Sequence, residues 1–484
     1  MAALMIQGCG SDVGKSTLVA GLCRLFANRG LRVRPFKPQN MSNNAAVTLD
    51  GGEIGRAQAL QALACRTPAT VHMNPVLLKP QSDVGAQVVV RGVVDRTMSA
   101  RDFQGRKAGL LGLAVESYRS LQREADLLLV EGAGSPAETN LRAGDIANMG
   151  FAHAADLPVA LVGDIDRGHV IAALVGAHTV LAPADRDRIQ GFLINKFRGD
   201  PTLFDAGRRE IAARTGWRDL GMAPWLAAAR HLPAEDAVVL ERGGAATSGR
   251  VTVIVPMLSR IANFDDFDPL RREPGVDLRF LPPGEAVPGD ADLIVLPGTK
   301  STLADLAFLR DQGWDIDILA HVRRGGRVLG ICGGLQMLGR RIADPDGIDG
   351  APGAAAGLGL LDIETAMTGS KTLRPVDGDL VGGGAFAGYE IHVGVTTGPG
   401  LGRPLLRHAD GSPGGAISAD GRVAGAYVHG LFDRAGARAA LLRPFGLRSE
   451  GGDQADHVDR MLDALAAGLE QSLDIAALER IAGL

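Results

Sequence analysis

Arg327-Val-Leu-Gly330-Ile-Cys332-Gly333-Gly-Leu-Gln336 is a short apolar run broken sharply by glycines. A strand that ends this way is expected to turn at once into a helix, with Cys332 on the turn and its sulfur exposed, the thiol form of a nucleophile elbow. Such a turn presents a thiolate to a carbonyl carbon and aims the backbone N–H of Gly333 at the oxyanion that forms. A lone cysteine between glycines is more often a small buried core residue, so its companions decide. Leu296-Pro-Gly298-Thr-Lys300-Ser301 follows an apolar strand, and Gly298 is positioned to offer a second oxyanion N–H. Val423-Ala-Gly-Ala-Tyr-Val428-His429-Gly430 delivers His429 at a strand end, as a catalytic base requires. Together they favour a catalytic pair, Cys332 and His429.

The chain opens with a second glycine-rich turn. The apolar strand Leu4-Met5-Ile6 runs into Gly8-Cys-Gly-Ser11-Asp12-Val13-Gly14-Lys15-Ser16-Thr17 and then into an amphipathic helix that stops at Gly30. Strand, glycine loop, Lys-Ser-Thr and helix stand in the order a phosphate cradle needs. Backbone N–H groups take phosphate oxygens, Lys15 reaches the outer phosphates of ATP, and the Ser16 hydroxyl ligates Mg2+. A strict pattern would place glycine at Cys9; here Gly8 opens a loop one residue longer, the variant of the dethiobiotin synthetase and septum-site ATPase branch.

Strands with polar ends continue from there. Phe36-Lys37 leads into Pro38-Gln39-Asn40-Met41-Ser42-Asn43-Asn44, expected to be a polar loop with little reason to be buried, and Lys79 sits between prolines near the end of Met73-Asn-Pro-Val-Leu-Leu-Lys79-Pro80. Gln39, Asn40 and Lys79 are candidate substrate contacts, since loops at strand ends carry the sites of α/β proteins. Asp126-Leu-Leu-Leu-Val-Glu131-Gly ends an apolar strand in a carboxylate, so Glu131 is the second Mg2+ candidate; Asn195 and Lys196 close a later strand and are expected to face the nucleotide base. Strands alternating with helices at this spacing imply an α/β, doubly wound parallel sheet.

The bulk numbers are permissive. At 484 residues there is room for two or three cores. A net charge of -4 gives no basic footprint for nucleic acid, and the four scattered cysteines suggest neither a zinc site nor disulfides. No charged leader and no apolar run of membrane-spanning length is present, so no nucleic acid and no membrane partner is expected, and the setting is cytoplasmic.

The Gly298, Cys332 and His429 motifs resemble the class I glutamine amidotransferase domain over residues 250–445. That class usually carries a glutamate two residues after the histidine, where this chain has Leu431, so the third member of the triad stays open between the nearby Asp433 and a backbone carbonyl. Residues 1–245 then form a P-loop domain, with Gly243-Gly-Ala-Ala-Thr-Ser-Gly249 as linker. Residues 446–484, with apolar Val458, Leu462, Leu465 and Leu469 at helical spacing, are expected to pack on the glutaminase domain.

Phe36-Lys-Pro-Gln-Asn-Met41, Asp50-Gly-Gly-Glu-Ile-Gly-Arg-Ala-Gln58, Met73 to Pro80, Val130-Glu-Gly-Ala-Gly134, Gly163-Asp-Ile-Asp-Arg-Gly168 and Asn195-Lys-Phe-Arg198, with the P-loop, resemble the cobyric acid synthase family over nearly the whole chain. The resemblance implies ATP- and glutamine-dependent amidation of the b, d, e and g carboxylates of adenosylcobyrinic acid a,c-diamide, with ammonia passed between the domains. It also implies a glutaminase that keeps cysteine and histidine without the usual third residue. Cobyrinic acid a,c-diamide synthase shares both domains and is the alternative; a partitioning-type ATPase switch shares only the P-loop.

Overall fold

A computed structural model describes residues 2–81, 85–235 and 249–484. The strand Ala2–Gly8 runs through a six-stranded parallel sheet, in the order Arg218–Pro224, Ile189–Phe197, Val159–Asp164, Ala2–Gly8, Leu127–Glu131, Val33–Phe36. Its side chains alternate between two cores. Leu4 and Ile6 meet Leu18 and Leu22 of the helix Lys15–Asn28, whereas Ala3 and Met5 meet Phe36, Tyr118 and Phe151 on the other face. A parallel sheet covered on both faces needs apolar residues at successive positions, which is why these strands read as continuous apolar runs.

The elbow strand Arg327–Ile331 lies in a second sheet. Val276–Leu281, Val251–Pro256, Leu293–Leu296, Arg327–Ile331 and Val423–Ala426 are parallel, with the short Ala416–Ile417 antiparallel at one edge. Beside it, the long antiparallel pair Glu364–Leu380 and Ala385–Thr397 is extended by Val428–His429. Each parallel sheet thus places its glycine turn at the carboxyl end of a central strand, where α/β folds keep their sites.

Two expectations need correction. The C-terminal helices Gln454–Ser472 and Ile475–Ala482 pack on the P-loop unit, not on the elbow unit. Val458, Leu462, Leu465 and Leu469 join the core of Leu18, Leu22 and Leu25. A Cβ on Gly21 would stand 2.4 Å from Leu469 Cδ1, so the missing side chain lets the two helices approach, and the fully buried Arg24 is ion-paired with Asp459. An amphipathic stripe says that a helix has a buried face; it does not say which surface covers it. Second, the polar run after Lys37 is largely inside. Gln39–Met41 is a short strand beside Val76–Pro80, and Asn40, Ser42 and Asn44 are buried because their side chains are hydrogen-bonded. The linker placed at Gly243 to Gly249 lies outside the described residues except for Gly249.

The two units meet through Ala45, Leu77 and Val89 on the P-loop side, packed with Ile391 of the long antiparallel pair.

Candidate active sites

Cys332 has φ 53° and ψ -110°, a strained backbone conformation for a residue with a side chain. The turn is held by close packing beneath it, where a Cβ on Gly334 would fall 2.1 Å from Leu296 O. The helix Gly333–Leu338 starts immediately, leaving the first N–H groups without helical partners. Gly298 lies against the imidazole, since a Cβ there would be 2.8 Å from His429 Cε1, and Gly333 faces Thr299. Cys332 Sγ donates to Ile391 O at 3.5 Å.

His429 is buried and bonded on both sides. Its Nδ1 is 2.7 Å from Asp266 Oδ2, and Asp266 Oδ1 accepts the Gly430 N–H at 2.8 Å. Burial alone would lower the imidazole pKa, but the Asp266 carboxylate, aided by a hydrogen bond with Cys332, pushes it up to about 10. The ring is therefore kept cationic beside the thiol. Tyr389 stacks on it at 5.3 Å between centroids. Asp266 is thus the carboxylate that orients the histidine, a residue that reading the region after His429 missed. Asp433 makes no such contact; burial pushes its carboxyl up to about 8. Leu431 is wholly buried in the core. The available signal was Asn263-Phe-Asp-Asp266-Phe-Asp268, acidic residues interleaved with phenylalanine just beyond the carboxyl end of the first strand of this sheet. His392 stacks on Tyr427 at 3.7 Å and lines the same cavity, and burial lowers its pKa to about 4.

At the other centre, Gly14 has φ +91° and its missing Cβ leaves room for Asn195 Nδ2, which donates to Val13 O at 2.8 Å. Ser11 and Asp12 are exposed at the loop crest, while Val13 is buried and Thr17 half-buried. Lys15 Nζ donates to Gly10 O at 2.9 Å and Gly134 O at 3.1 Å, and burial lowers its pKa despite Glu131. Lys196 reaches Asp164 at 2.7 Å and also the carbonyl of Asp12. Asn195 and Lys196 therefore both brace the loop.

The Ser16 hydroxyl lies 2.7 Å from Glu131 Oε1 and 2.7 Å from Glu235 Oε2. Lys37 Nζ bonds the same two carboxylates, at 2.8 and 3.1 Å, and Gln61 Nε2 donates to Glu131 Oε2 at 2.6 Å. Burial would lower the Lys37 pKa, but the carboxylates raise it. Ser16 and Glu131 are brought together as expected; Lys37 and Glu235 were missed. Lys37 stood at the end of the second strand of the sheet, and Glu235 lay in a stretch with no periodic pattern. One hydroxyl and two carboxylates form a hard oxygen set that suits Mg2+, which keeps several waters and phosphate oxygens as its remaining ligands. No group of three or more His, Cys, Asp or Glu suited to a metal occurs among the described residues.

The three candidate substrate contacts separate. Asn40 donates to Gln58 at 2.9 Å beside the Ser16 centre, and Gln39 is half-buried next to it. Lys79 points elsewhere: it pairs with Glu53 at 2.9 Å and lines the cavity over Cys332.

Residues 4–239 match the family described as CobQ/CobB/MinD/ParA nucleotide binding domain, and residues 252–437 match the CobB/CobQ-like glutamine amidotransferase domain. The chain is 74% identical over 486 residues to the cobyric acid synthase of Caulobacter sp. (strain K31), with all of both chains covered. It is 61% identical over 482 residues to the cobyric acid synthases of Rhizorhabdus wittichii and Sphingopyxis alaskensis, covering all of this chain and 99% of each relative.

Proposed function

The chain belongs to the cobyric acid synthase family, and from that membership we propose that it converts adenosylcobyrinic acid a,c-diamide to adenosylcobyric acid, amidating the b, d, e and g carboxylates. It is an ATP-dependent amidotransferase ligase with glutamine as nitrogen donor. The observation that carries the reading is the His429 imidazole held between Asp266 and Cys332 on a strained elbow, in a chain that also carries the Ser16 and Lys15 loop.

Cys332 gives its thiol proton to His429 and attacks the side-chain carbonyl carbon of glutamine through Sγ, and the oxyanion faces the first N–H of the helix Gly333–Leu338. His429 gives its proton to the departing nitrogen, so ammonia leaves as the C–N bond breaks and a glutamyl thioester remains on sulfur. Water then hydrolyses the thioester, with His429 taking the proton that ammonia removed. Asp266 keeps the Nδ1 proton in place throughout, leaving Nε2 for these transfers.

At the other centre, the Gly8 to Gly14 loop and Lys15 hold the phosphates of ATP, and Asn195 and Lys196 brace the loop toward the nucleotide. Ser16 and Glu131, with Glu235, would hold Mg2+, which supplies electrostatic stabilisation of the transferring phosphoryl group. Transfer of that group to a corrin carboxylate turns its oxygen into a leaving group. Ammonia then displaces phosphate, and the amide forms. Gln39, half-buried beside the Ser16 centre, is the proposed corrin contact, with buried Asn40 bonded to Gln58 behind it. No helix among the described residues is long and apolar enough to cross a membrane, in keeping with a proposed cytoplasmic site of action.

Mass spectrometry of the corrin diamide incubated with the protein, ATP, Mg2+ and glutamine tests the reading. Each carboxylate converted to an amide lowers the mass by one unit, and successive steps ending at the hexa-amide are expected. An unchanged corrin in the presence of ATP hydrolysis would remove the corrin assignment.

A further inference from the structure

The cavity over Cys332 is lined from both units. Lys79 and Gln87, on adjacent strands of the P-loop unit and directly opposite in register, face Lys300, Lys371 and Asp349 of the elbow unit. Glutamine that offers its amide to Cys332 carries its α-carbon three bonds further on, roughly 4 Å away. Its amino-acid end must therefore lie within the same lining.

That lining has charge to match. Glu53 is shared by Lys79 on one oxygen and Lys371 on the other. Asp349 accepts the Thr302 N–H at 2.5 Å, while Lys300 Nζ stays 3.8 Å from its nearer oxygen, too far for a hydrogen bond. Three lysines thus face two carboxylates, leaving one positive charge in excess. Burial lowers the pKa of Lys300 despite Asp349, and Lys79 adds to the lowering; burial likewise brings Lys371 down to about 8. A bound carboxylate would relieve both. Gln87 supplies the complementary feature: it is 7% exposed, and its Oε1 is buried with no hydrogen-bond partner. A buried acceptor without a donor is costly, and a ligand ammonium would satisfy it.

We propose that this cavity holds the amino-acid end of glutamine, with the α-carboxylate on Lys300 and the α-ammonium on Gln87, so that the P-loop unit completes the glutamine site. The assignment rests on the glutaminase reading of Cys332 given above. Neighbouring Lys79 and Lys371, neutralised in part by Glu53, set the potential that draws the carboxylate in.

Two truncated amides separate the contacts: γ-aminobutyramide lacks the carboxylate of glutamine, and glutaramate lacks the ammonium. The measurement is kcat/KM for ammonia release from each, as a ratio to glutamine, in the full-length protein. Lys300→Met is expected to reduce the preference for glutamine over γ-aminobutyramide by roughly ten- to a hundredfold, the span of one charged hydrogen bond, and to leave the preference over glutaramate unchanged. Gln87→Leu should do the reverse. A ratio within one preparation does not depend on how much of it is folded. For a variant too slow to assay, the concentration of each amide that halves alkylation of Cys332 by iodoacetamide gives the same comparison. Parent-like ratios in both variants would overturn the subsite while leaving the glutaminase intact. Failure of the parent to release ammonia from glutamine would overturn both readings.

Discussion

Arg56 Nη2 lies 2.5 Å from Asp265 Oδ2, and Asp265 precedes the aspartate that holds His429. Arg56 begins the helix Arg56–Ala64 of the P-loop unit, and Gln61, five residues on, donates to Glu131 and to the Ser16 carbonyl. One short helix therefore touches both centres. A second connection runs beside it: Ser42 bonds the Glu235 carbonyl, while Asn44 bonds the Ala234 carbonyl and accepts from Asn263 N. The segment that carries Asp266 is clasped by the other unit, so the thiol site is assembled across the interface.

Replacing Arg56 by methionine leaves Asp265 buried without its cation. Removing one partner of a buried pair typically costs about 3–5 kcal/mol, and here the strain falls on the Asn263 to Asp266 segment. Arg56→Met is expected to cut the glutamate release rate by at least tenfold, while synthesis from ammonium salt falls much less. Equal losses with both nitrogen donors would show that Arg56 serves the P-loop centre or the whole fold instead.

The His429 and Asp266 pair predicts a pH dependence. The folded pKa, about 10, lies above the ordinary 6.5, so the stability this group contributes is fully present below 6.5 and is lost as pH rises through about 10. Asp266→Asn removes the largest attraction and leaves burial, which lowers the pKa, opposed only by Cys332. The alkaline limb of kcat/KM for glutamate release should then move down from near pH 10, and the loss of stability on that limb should shrink. An alkaline limb that stays in place would remove Asp266 from the triad.

What sequence reading could and could not reach follows from the physics of each signal. The elbow and the P-loop are local: glycine spacing and an apolar strand specify them within ten residues, and Cys332, Ser16 and Lys15 stand on the turns where that reading puts them, although Cys332, whose sulfur was expected to be exposed, is buried because the antiparallel pair and the other unit cover the elbow. Asp266 and Glu235 are not local. They reach His429 and Ser16 across separations of 163 and 219 residues, and no pattern near either residue names its partner. The C-terminal helix was misplaced for the same reason, since a 3.6-residue period encodes a face and not its cover. Buried Asn40 and Asn44 defeat a hydropathy reading altogether, because hydrogen bonds, invisible in composition, make their burial affordable.

Leu465 tests where that helix packs. It is fully buried against the helix Lys15–Asn28, and a Cβ on Gly21 would lie 2.9 Å from its Cγ. Leu465→Ala should cost about 2–5 kcal/mol. Synthesis from ammonium salt should be inactivated at a lower temperature, because the loss loosens the helix that carries Lys15 and Ser16. Unchanged thermal inactivation of that activity would contradict the packing.

Lys15→Ala is expected to abolish synthesis from either nitrogen donor, as it removes the cation at the phosphate loop. Glu131→Gln removes one of two carboxylates on the Ser16 hydroxyl, so half-maximal activity should require roughly tenfold more Mg2+, the scale expected when one ligand contact weakens. Glu235→Gln should act in the same direction. A magnesium titration unchanged in both variants would leave the two carboxylates as internal partners of Lys37 and Ser16 with no part in holding the metal.

Cys332→Ala separates the two chemistries. The variant loses the sulfur that attacks glutamine but keeps Lys15, Ser16 and Glu131, so glutamine should fail as donor while concentrated ammonium salt still supports amidation. His429→Ala should give the same donor switch with some residual glutamate release, because a cysteine retains part of its thiolate character unaided. Leu431 supplies the contrast. It occupies the position two residues after His429, yet it is wholly buried in the core. Leu431→Ala should therefore destabilise by about 2–5 kcal/mol through a cavity and impair both donors together, without a switch. Loss of ammonium-dependent synthesis in Cys332→Ala, in a folded preparation that still binds ATP, would mean that the thiol is needed for the amide-forming step itself, and the division of labour between the two centres would fall.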